Sequence, residues 1–354
     1  MQSTIDPNRV QEFAFGLLDD LGATVSGALI HLGDRLGLYR AMAEAGPLTS
    51  AALADRTGTY ERFVREWLAN QCAAGYIHYD AEGATYLLPS EHAAVLADES
   101  SPAFMAGGFT TAIGAFQVLD KIENSFRTGE GIGWEDHDEQ MFCGVERFFA
   151  PAYRTHLVAE WIPSIDGLPQ RLSAGARVAD VGCGHGATAI LIAKAFPNVE
   201  VVGFDVHQES IDVANQRAVE AGVADRVRFV CATAQDFPGD GFDLITFFDC
   251  LHDMGDPIEA AAHARRALSP DGVAMLVEPM AGDRLEDNLS PVGRAYYGFS
   301  TLICTPAAHA QHGPCCLGAQ AGETRLREVL AAGGFQQVRR AHATPLNMIL
   351  EARP

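Results

Sequence analysis

The stretch Val178-Ala179-Asp180-Val181-Gly182-Cys183-Gly184-His185-Gly186 decides the fold, because an apolar strand runs directly into a turn rich in glycine. Glycine lacks a Cβ, so three glycines at alternate positions let the backbone bend sharply and approach a ligand closely. We therefore expect a ligand against this turn. Gly182, Gly184 and Ala187 also satisfy the dinucleotide pattern, so the glycines alone do not identify that ligand.

Downstream of this turn the sequence alternates between short apolar runs and helical periodicity. Repeated strand–helix units predict an α/β fold, in which a parallel sheet has helices on both faces. The insertion at 280–318 is expected to be irregular, and it is too long for a simple loop. The predicted strands are 177–181, 200–204, 227–231, 242–248 and 273–278, with a closing pair at 335–340 and 347–352.

The N-terminal part has a different pattern. Residues 10–45 carry apolar positions at three- and four-residue steps, which predicts helix, and two short helical segments within 49–74 surround a Thr-Gly-Thr turn. Alternating residues on both sides of a turn at 80–83 add a hairpin, so the unit is predicted to be a mainly helical winged-helix domain. We expect domain boundaries near residues 100 and 165: a winged helix at 1–100, helices rich in aromatic residues at 101–165, and the α/β domain at 166–354. The aromatic residues of the middle segment fit either a substrate pocket or ordinary core.

Composition limits the partners and the location. The net charge of −21 would repel a phosphate backbone, so nucleic-acid binding is not expected. The N-terminus lacks the basic flank and apolar run of a secretory signal, and no apolar stretch is read as a membrane segment, which predicts a cytoplasmic protein. The eight cysteines follow no regular framework, so structural disulfides are not expected.

Two acids distinguish between possible ligands of the glycine turn. Asp180 ends the first strand, where its carboxylate would attract an ammonium group but would crowd a pyrophosphate, so a cationic amino-acid cofactor fits better than NAD. Asp205 ends the second strand, where two carboxylate oxygens can accept bonds from both hydroxyls of a ribose. The loop after the third strand, Thr233-Ala234-Gln235, is placed for polar contacts to an adenine edge.

In this order, the glycine turn, Asp205, the strand Phe242-Asp243-Leu244-Ile245 and the segment Leu268-Ser269-Pro270-Asp271-Gly272 resemble the motifs of class I S-adenosylmethionine-dependent methyltransferases. The resemblance implies a Rossmann-like sheet and S-adenosylmethionine as cofactor. The family commonly has an acid where Thr233 stands, which leaves the adenine contacts less defined. The cofactor contacts that we infer are Asp180, Gly182, Cys183, Gly184, Gly186, Asp205, Val206, Thr233, Ala234, Gln235 and Phe248.

The fourth strand leads into Phe248-Asp249-Cys250-Leu251-His252-Asp253-Met254, which is similar to the His-Asp segment of small-molecule O-methyltransferases of the plant phenolic and hydroxyindole type. Those enzymes also have an N-terminal winged-helix dimerisation domain, so the resemblance implies a homodimer that methylates a small hydrophobic or aromatic acceptor. It implies His252 as the general base and Glu278, at the end of the next strand, as the group that orients it. The alternative is a histidine that only packs over the cofactor.

Other functions remain open from the sequence. The winged helix could belong to a transcriptional regulator that uses the methyltransferase fold as a ligand sensor, although its basic residues are matched by acids. The glycine pattern keeps a dinucleotide oxidoreductase possible. Tyr296, Tyr297 and Phe299 could cap the substrate pocket or anchor the insertion. No metal is expected, although one cluster has suitable residue types: His309, His312, Cys315 and Cys316.

Overall fold

The computed structural model describes residues 5–354, which form two compact units that are interleaved in the sequence. Of the described residues, the first unit comprises 5–114 and Gln140–Pro151, and the second comprises Ala115–Glu139 and Ala152–Pro354. The boundaries near residues 100 and 165 stay a prediction.

The first unit has the predicted winged-helix pattern. The hydroxyl of Thr49 accepts a hydrogen bond from the Ala52 N–H and so caps the first helix of the helix-turn-helix. Trp67 and Leu68 of the second helix are buried in a core shared with the preceding helices. The elements are α1 (Pro7–Arg35), α2 (Leu38–Ala43), α3 (Ser50–Thr57), α4 (Glu61–Ala73), the hairpin of β1 (His78–Asp80) and β2 (Thr85–Leu87), and α5 (Ser90–Leu96), followed by α6 (Ala106–Phe116).

Helix α1 leaves most of its apolar surface exposed. Its most apolar window has a mean hydropathy of 1.4, and 11% of that window is buried. By length and composition α1 is therefore apolar enough to cross a membrane, as are some core helices of soluble proteins and the helices of signal sequences.

The second unit is built on a seven-stranded mixed sheet in the order β5-β4-β3-β6-β7-β9-β8. Strands β3 to β7 are parallel, and β9 runs antiparallel to both β7 and β8. The central strands carry near-continuous apolar runs, because helices cover both faces of a parallel sheet. The strands are β3 (Arg177–Val181), β4 (Glu200–Asp205), β5 (Val227–Cys231), β6 (Phe242–Phe248), β7 (Leu268–Pro279), β8 (Gln337–Ala343) and β9 (Asn347–Arg353).

Chain order reverses at β3, which lies between β4 and β6. In open α/β sheets such a reversal leaves a crevice at the carboxyl ends of the strands, where ligands bind. The remaining helices are α7 (Leu119–Thr128), α8 (Glu139–His156), α9 (Leu168–Ala174), α10 (Ala187–Ala195), α11 (Gln208–Glu220), α12 (Pro257–Ala267), α13 (Pro291–Phe299), α14 (Thr305–Ala310) and α15 (Gly322–Ala332).

The expectation of an irregular insertion at 280–318 is wrong, because most of it is helical. The Ser290 side chain accepts a bond from the Gly293 N–H and caps α13, whose first residue is Pro291. A proline at the first helical position lacks only an N–H that has no partner there, so it begins a helix rather than breaking one. A π-helical turn, Ser300–Cys304, joins α13 to α14.

Candidate active site

The glycine turn after β3 is closed on one side and open on the other. Gly182 has a φ of 72°, and a Cβ there would lie 2.7 Å from Cys250 Sγ. Gly184 has a φ of 50°, and a Cβ there would meet nothing within 4 Å. Both residues need the left-handed conformation that glycine adopts freely. The backbone at Gly184 therefore faces space that a ligand can enter.

Asp205 at the end of β4 faces the same turn. Its Oδ2 accepts from the Gly184 N–H at 2.9 Å, and its Oδ1 accepts from the His207 N–H at 2.9 Å. Burial raises the pKa of Asp205, although these two N–H groups oppose that shift. Each carboxylate oxygen retains further lone pairs for a ligand donor. The neighbouring Val206 is 56% exposed, an unusual exposure for a valine beside a buried strand.

Asp180 has no exposed surface. Its Oδ2 accepts from the Thr188 hydroxyl at 2.6 Å and its Oδ1 from the Thr246 hydroxyl at 2.8 Å. Burial raises the pKa of Asp180 to about 6, against the effect of both hydroxyls. The structure thus gives Asp180 a clear role in joining β3, α10 and β6, while direct contact with a cofactor stays a prediction.

The loop after β5 is tied to β4, because the Ala232 N–H donates to the Asp205 carbonyl at 2.9 Å. The Thr233 hydroxyl is used within the loop, where it donates to Asp236 Oδ1 at 2.5 Å. Gln235 Nε2 lies 3.5 Å from the Asp256 carbonyl, and Ala234 is buried. Adenine contact by Thr233, Ala234 and Gln235 therefore stays a prediction.

His252 and Glu278 form a buried pair. His252 lies on a 3-10 turn after β6, and its Nδ1 is 2.6 Å from Glu278 Oε2 at the end of β7. Glu278 Oε1 accepts from the Leu251 N–H at 3.0 Å. The insertion supports the turn, because the Gly318 N–H donates to the His252 carbonyl at 3.0 Å. The carboxylate fixes the ring orientation and leaves Nε2 as the nitrogen for a reacting group.

The pKa of His252 lies well above its ordinary value. Burial by itself would lower that pKa, but the charge of Glu278 and the hydrogen bonds of Glu278 and Cys304 raise it by more. Cys304, on the π-helical turn of the insertion, contributes to this rise. The His252 imidazole therefore binds a proton more tightly than an ordinary histidine does, next to the Glu278 carboxylate.

A second polar group on the same edge, Asp249, was not predicted from the sequence. Asp249 follows Phe248 directly, with a φ of 49°, and it accepts from the Tyr153 hydroxyl and the Asn347 side-chain amide. Tyr153 also lies against Phe248, with ring centroids 5.3 Å apart. Tyr153 and Asn347 come from distant parts of the chain, so no local motif signals them.

Five acids lie on or near the carboxyl edge of the sheet: Asp180, Asp205, Asp249, Asp253 and Glu278. Burial raises the pKa of Asp253 to about 7 and that of Asp249 to about 8. Within residues 5–354, neither lysine nor arginine forms an ion pair with any of the five. Glu278 pairs with His252, and the other four carboxyls, which have no lysine or arginine partner, favour a positively charged ligand.

Metal binding has no comparable support. In the described part of the chain, no three or more histidine, cysteine, aspartate or glutamate side chains are grouped as a metal site requires. Cys315 Sγ instead accepts from the Arg325 guanidinium. Tyr296 is buried, and its hydroxyl donates to the Leu346 carbonyl, which anchors the insertion.

Comparison with known families agrees with this geometry. Residues 172–334 match the family described as "Methyltransferase domain", and residues 24–98 match the family described as "Rv2258c-like winged HTH domain". The chain joins a winged helix-turn-helix domain to a methyltransferase domain. The glycine turn, Asp205, His252 and Glu278 all lie within the matched methyltransferase domain, whereas Tyr153 and Asn347 lie outside it.

Relatives of the methyltransferase domain include 27-O-demethylrifamycin SV methyltransferase of Amycolatopsis mediterranei. It is 39% identical over 103 residues, which are 28% of this chain and 38% of the relative. The chain thus matches less than half the length of that relative.

Solved structures resemble the whole chain in fold. Mitomycin 7-O-methyltransferase has a TM-score of 0.73 at 19% identity, over 98% of this chain and all of that protein. Human N-acetylserotonin methyltransferase, solved with S-adenosylmethionine, has a TM-score of 0.68 at 19% identity, over all of this chain and 99% of that protein. The predicted Rossmann-like sheet with an N-terminal winged helix is confirmed.

The winged-helix domain lacks a basic face on α4. Arg62 pairs with Glu66 at 2.6 Å, and Arg65 pairs with Glu61 at 2.7 Å. Each arginine is thus matched by an acid one helical turn away, so α4 offers no excess positive charge to phosphates. The alternative of a transcriptional regulator has no support from this geometry.

Proposed function

We propose that this protein transfers a methyl group from S-adenosylmethionine to a hydroxyl group of a small acceptor with a hydrophobic or aromatic body. One observation carries the proposal: a glycine turn faced by Asp205 and a buried His252–Glu278 pair lie on the same carboxyl edge of one sheet. The first feature suits a nucleoside and the second suits proton removal from a hydroxyl.

The residues present fit the cofactor. The open space at Gly184 admits a ligand next to the backbone, and Asp205 has lone pairs for the two ribose hydroxyls. The exposed Val206 offers an apolar surface for a base, and the unpaired acids suit a ligand that carries a sulfonium and an ammonium. Asp205, Val206 and the Gly182–Gly186 turn would therefore hold S-adenosylmethionine.

The chain's own residues prepare the acceptor. S-adenosylmethionine, when bound, supplies an electrophilic methyl group on its sulfonium and leaves as S-adenosylhomocysteine. His252 accepts the hydroxyl proton at Nε2 as the acceptor oxygen attacks, and Glu278 stabilises the resulting imidazolium through Nδ1. The buried turn that carries His252 also excludes water from the oxygen that reacts.

Calorimetry tests the cofactor directly. We expect purified protein to bind S-adenosylhomocysteine and not NAD, since the acids at the edge favour the cationic ligand. Radiolabelled methyl transfer to 4-ethylcatechol then tests the reaction. Folded protein that gives no heat with S-adenosylhomocysteine would contradict the proposal, and NAD binding in its place would indicate an oxidoreductase.

Glu278→Gln is expected to move the pH dependence of kcat towards lower pH and to reduce its maximum about 10- to 100-fold. His252 must be neutral to accept a proton, so its raised pKa moves the rise of kcat to a higher pH than an ordinary histidine would give. Removing the Glu278 charge lowers that pKa, and it also removes the group that stabilises the imidazolium. Methyl-transfer rates across pH measure both effects.

The control for this variant is Glu259→Gln, which removes an exposed carboxylate on α12. It should leave the pH profile unchanged. An unshifted profile in Glu278→Gln would show that Glu278 does not control the protonation of His252.

We propose further that two copies of this chain associate through α1. Phe13, Leu17 and Leu21 follow one another at four-residue steps on one face, and each is between 57% and 73% exposed. An apolar face of this length is unfavourable in water, and a symmetric pair buries the same face of both copies without needing another protein. The cytoplasmic location predicted from the sequence stays a prediction.

Leu17→Glu combined with Leu21→Glu is expected to convert a dimer into a monomer, because a charge on each copy would be buried in the interface. Sedimentation velocity measures the mass. Gln11→Glu adds a charge to the same helix outside this face and should preserve the dimer. A wild-type monomer that sediments with phosphatidylglycerol vesicles would instead assign the apolar face to a membrane surface.

A further inference from the structure

Asp249 lies in the left-handed backbone region, which few residues other than glycine, asparagine and aspartate adopt. Its φ is 49°, and its N–H donates to the Val277 carbonyl at 2.7 Å. It follows Phe248 at the end of β6 and precedes the turn that carries His252. Left-handed backbone at a non-glycine residue costs free energy and tends to occur at functional sites. Its position directly after β6 places Asp249 at the carboxyl edge of the sheet.

Two donors already hold this carboxylate. The Tyr153 hydroxyl donates to Oδ2 at 2.7 Å, and Asn347 Nδ2 donates to Oδ1 at 2.8 Å. Asn347 is 1% exposed, and its Oδ1 has no hydrogen-bond partner among the described residues. A buried acceptor without a donor is unfavourable, so the amide oxygen points to a missing donor group.

We propose that Asp249 and Asn347, with Tyr153 as the positioning residue, form a subsite that binds a protonated amine of the acceptor molecule. The inference rests on the proposed function and defines the substrate class further: an aromatic or hydrophobic hydroxyl compound that also carries an ammonium group.

The number and charge of the acceptors favour an amine over a second hydroxyl. An ammonium group has three donors and no acceptor, whereas a hydroxyl has one donor. Asp249 Oδ1, Asp249 Oδ2 and Asn347 Oδ1 offer three acceptor atoms, two of them on an acid without a basic partner. Burial and the neighbouring Glu278 raise the pKa of Asp249 to about 8, and an ammonium would offset that unfavourable charge.

A purely structural role explains less. If Asp249 served only to hold Tyr153, a neutral side chain would accept the same hydroxyl bond without placing a fifth acid on this edge. A purely structural role would also leave Asn347 Oδ1 without a donor. The Asn347 side-chain nitrogen instead lies 2.8 Å from Asp249 Oδ1. The unfilled Asn347 Oδ1 and the Asp249 carboxylate are therefore close together, directly before the turn that carries His252.

Matched amine and neutral probes test the subsite in protein loaded with S-adenosylhomocysteine. The pairs are dopamine with 4-ethylcatechol, and tyramine with 4-ethylphenol, and calorimetry measures their dissociation constants. We expect wild-type protein to bind the amine of at least one pair about ten- to a hundredfold more tightly. Asp249→Asn should remove that preference while the affinity for S-adenosylhomocysteine stays within about twofold.

Control variants distinguish amine binding at this subsite from a general electrostatic effect of the acids along the same edge. Asp253→Asn removes a buried acid of the same edge and should retain the amine preference. Asn347→Leu removes the unfilled oxygen but keeps the Asp249 charge, and it should lose part of the preference even where Asp249→Asn is poorly folded. Methyl transfer to 4-ethylcatechol reports separately on the proposed function.

Three results would overturn the subsite. Wild-type protein could bind neutral and amine probes equally, Asp253→Asn could lose the preference as fully as Asp249→Asn, or Asp249→Asn could weaken S-adenosylhomocysteine binding tenfold. The last result would assign the cluster to the amino group of the cofactor. If 4-ethylcatechol is methylated while no amine preference exists, the subsite fails and the proposed function stands.

Discussion

Replacing His252 with alanine is expected to lower kcat about 10²- to 10⁴-fold, because the acceptor hydroxyl then loses the group that takes its proton. The affinity for S-adenosylhomocysteine should stay within about twofold, since the cofactor contacts proposed here lie on the glycine turn and on Asp205. Single-turnover methyl transfer and calorimetry measure the two quantities. The combination of lost turnover and retained binding distinguishes a base from a residue that packs over the cofactor.

A histidine elsewhere on the surface provides the control for this variant. His309 on α14 is exposed, so His309→Ala should leave both kcat and affinity unchanged. If His252→Ala keeps full activity, the imidazole only packs at the site, and alignment of the acceptor supplies the rate. Weakened S-adenosylhomocysteine binding in His252→Ala would likewise argue for the packing role.

The sheet was predictable from the sequence because each central strand is a short apolar run with a clear end. The predicted bounds of β3, β5 and β6 equal those observed. Of these, β3 and β6 are interior strands that are buried on both faces, so hydrophobicity alone marks them. The exposed edge strand β8 was displaced towards the N-terminus in the prediction, because a half-exposed strand has a weaker apolar signal.

The insertion was not predictable in the same way. Proline breaks a helix at interior positions, yet Pro291 and Pro306 both lie in the first turn of a helix. Its glycines, alanines and cysteines carry no strong periodicity, and contacts with distant residues hold the segment. The Gly318 N–H, for example, donates to the His252 carbonyl. Such long-range bonds leave no local pattern.

The residues of the candidate site also fall into two groups, those that the sequence indicates and those that only the folded chain brings together. The glycine turn and Asp205 were predicted because each is a short motif at the end of a strand, whereas His252 was inferred by resemblance. Glu278 was inferred by resemblance, and the structure places it 2.6 Å from His252. Tyr153, Asn347 and Cys304 reach the edge from other elements, so only the folded chain reveals them. Asp249 lies within the segment Phe248–Met254 that the sequence analysis singled out, but its left-handed backbone conformation is not evident from the sequence.

Replacing Asp205 with alanine is expected to weaken S-adenosylhomocysteine binding about a hundredfold. This factor corresponds to the loss of two hydrogen bonds from the ribose hydroxyls to a charged acceptor. The same change leaves the Gly184 N–H without its acceptor, so the glycine turn also loses a support. Calorimetry measures the dissociation constant, and a thermal melt establishes that the variant is folded.

Asp212→Ala gives a matched control, because this aspartate is exposed on α11 and its side chain accepts a bond from Gln208 on the same helix. It should bind S-adenosylhomocysteine as the wild type does. The comparison tests the nucleoside site independently of the reaction, since S-adenosylhomocysteine carries no methyl group to transfer. A folded Asp205→Ala with unchanged affinity would mean that the carboxylate serves only the glycine turn, and the ribose would then have to be held elsewhere along the carboxyl edge.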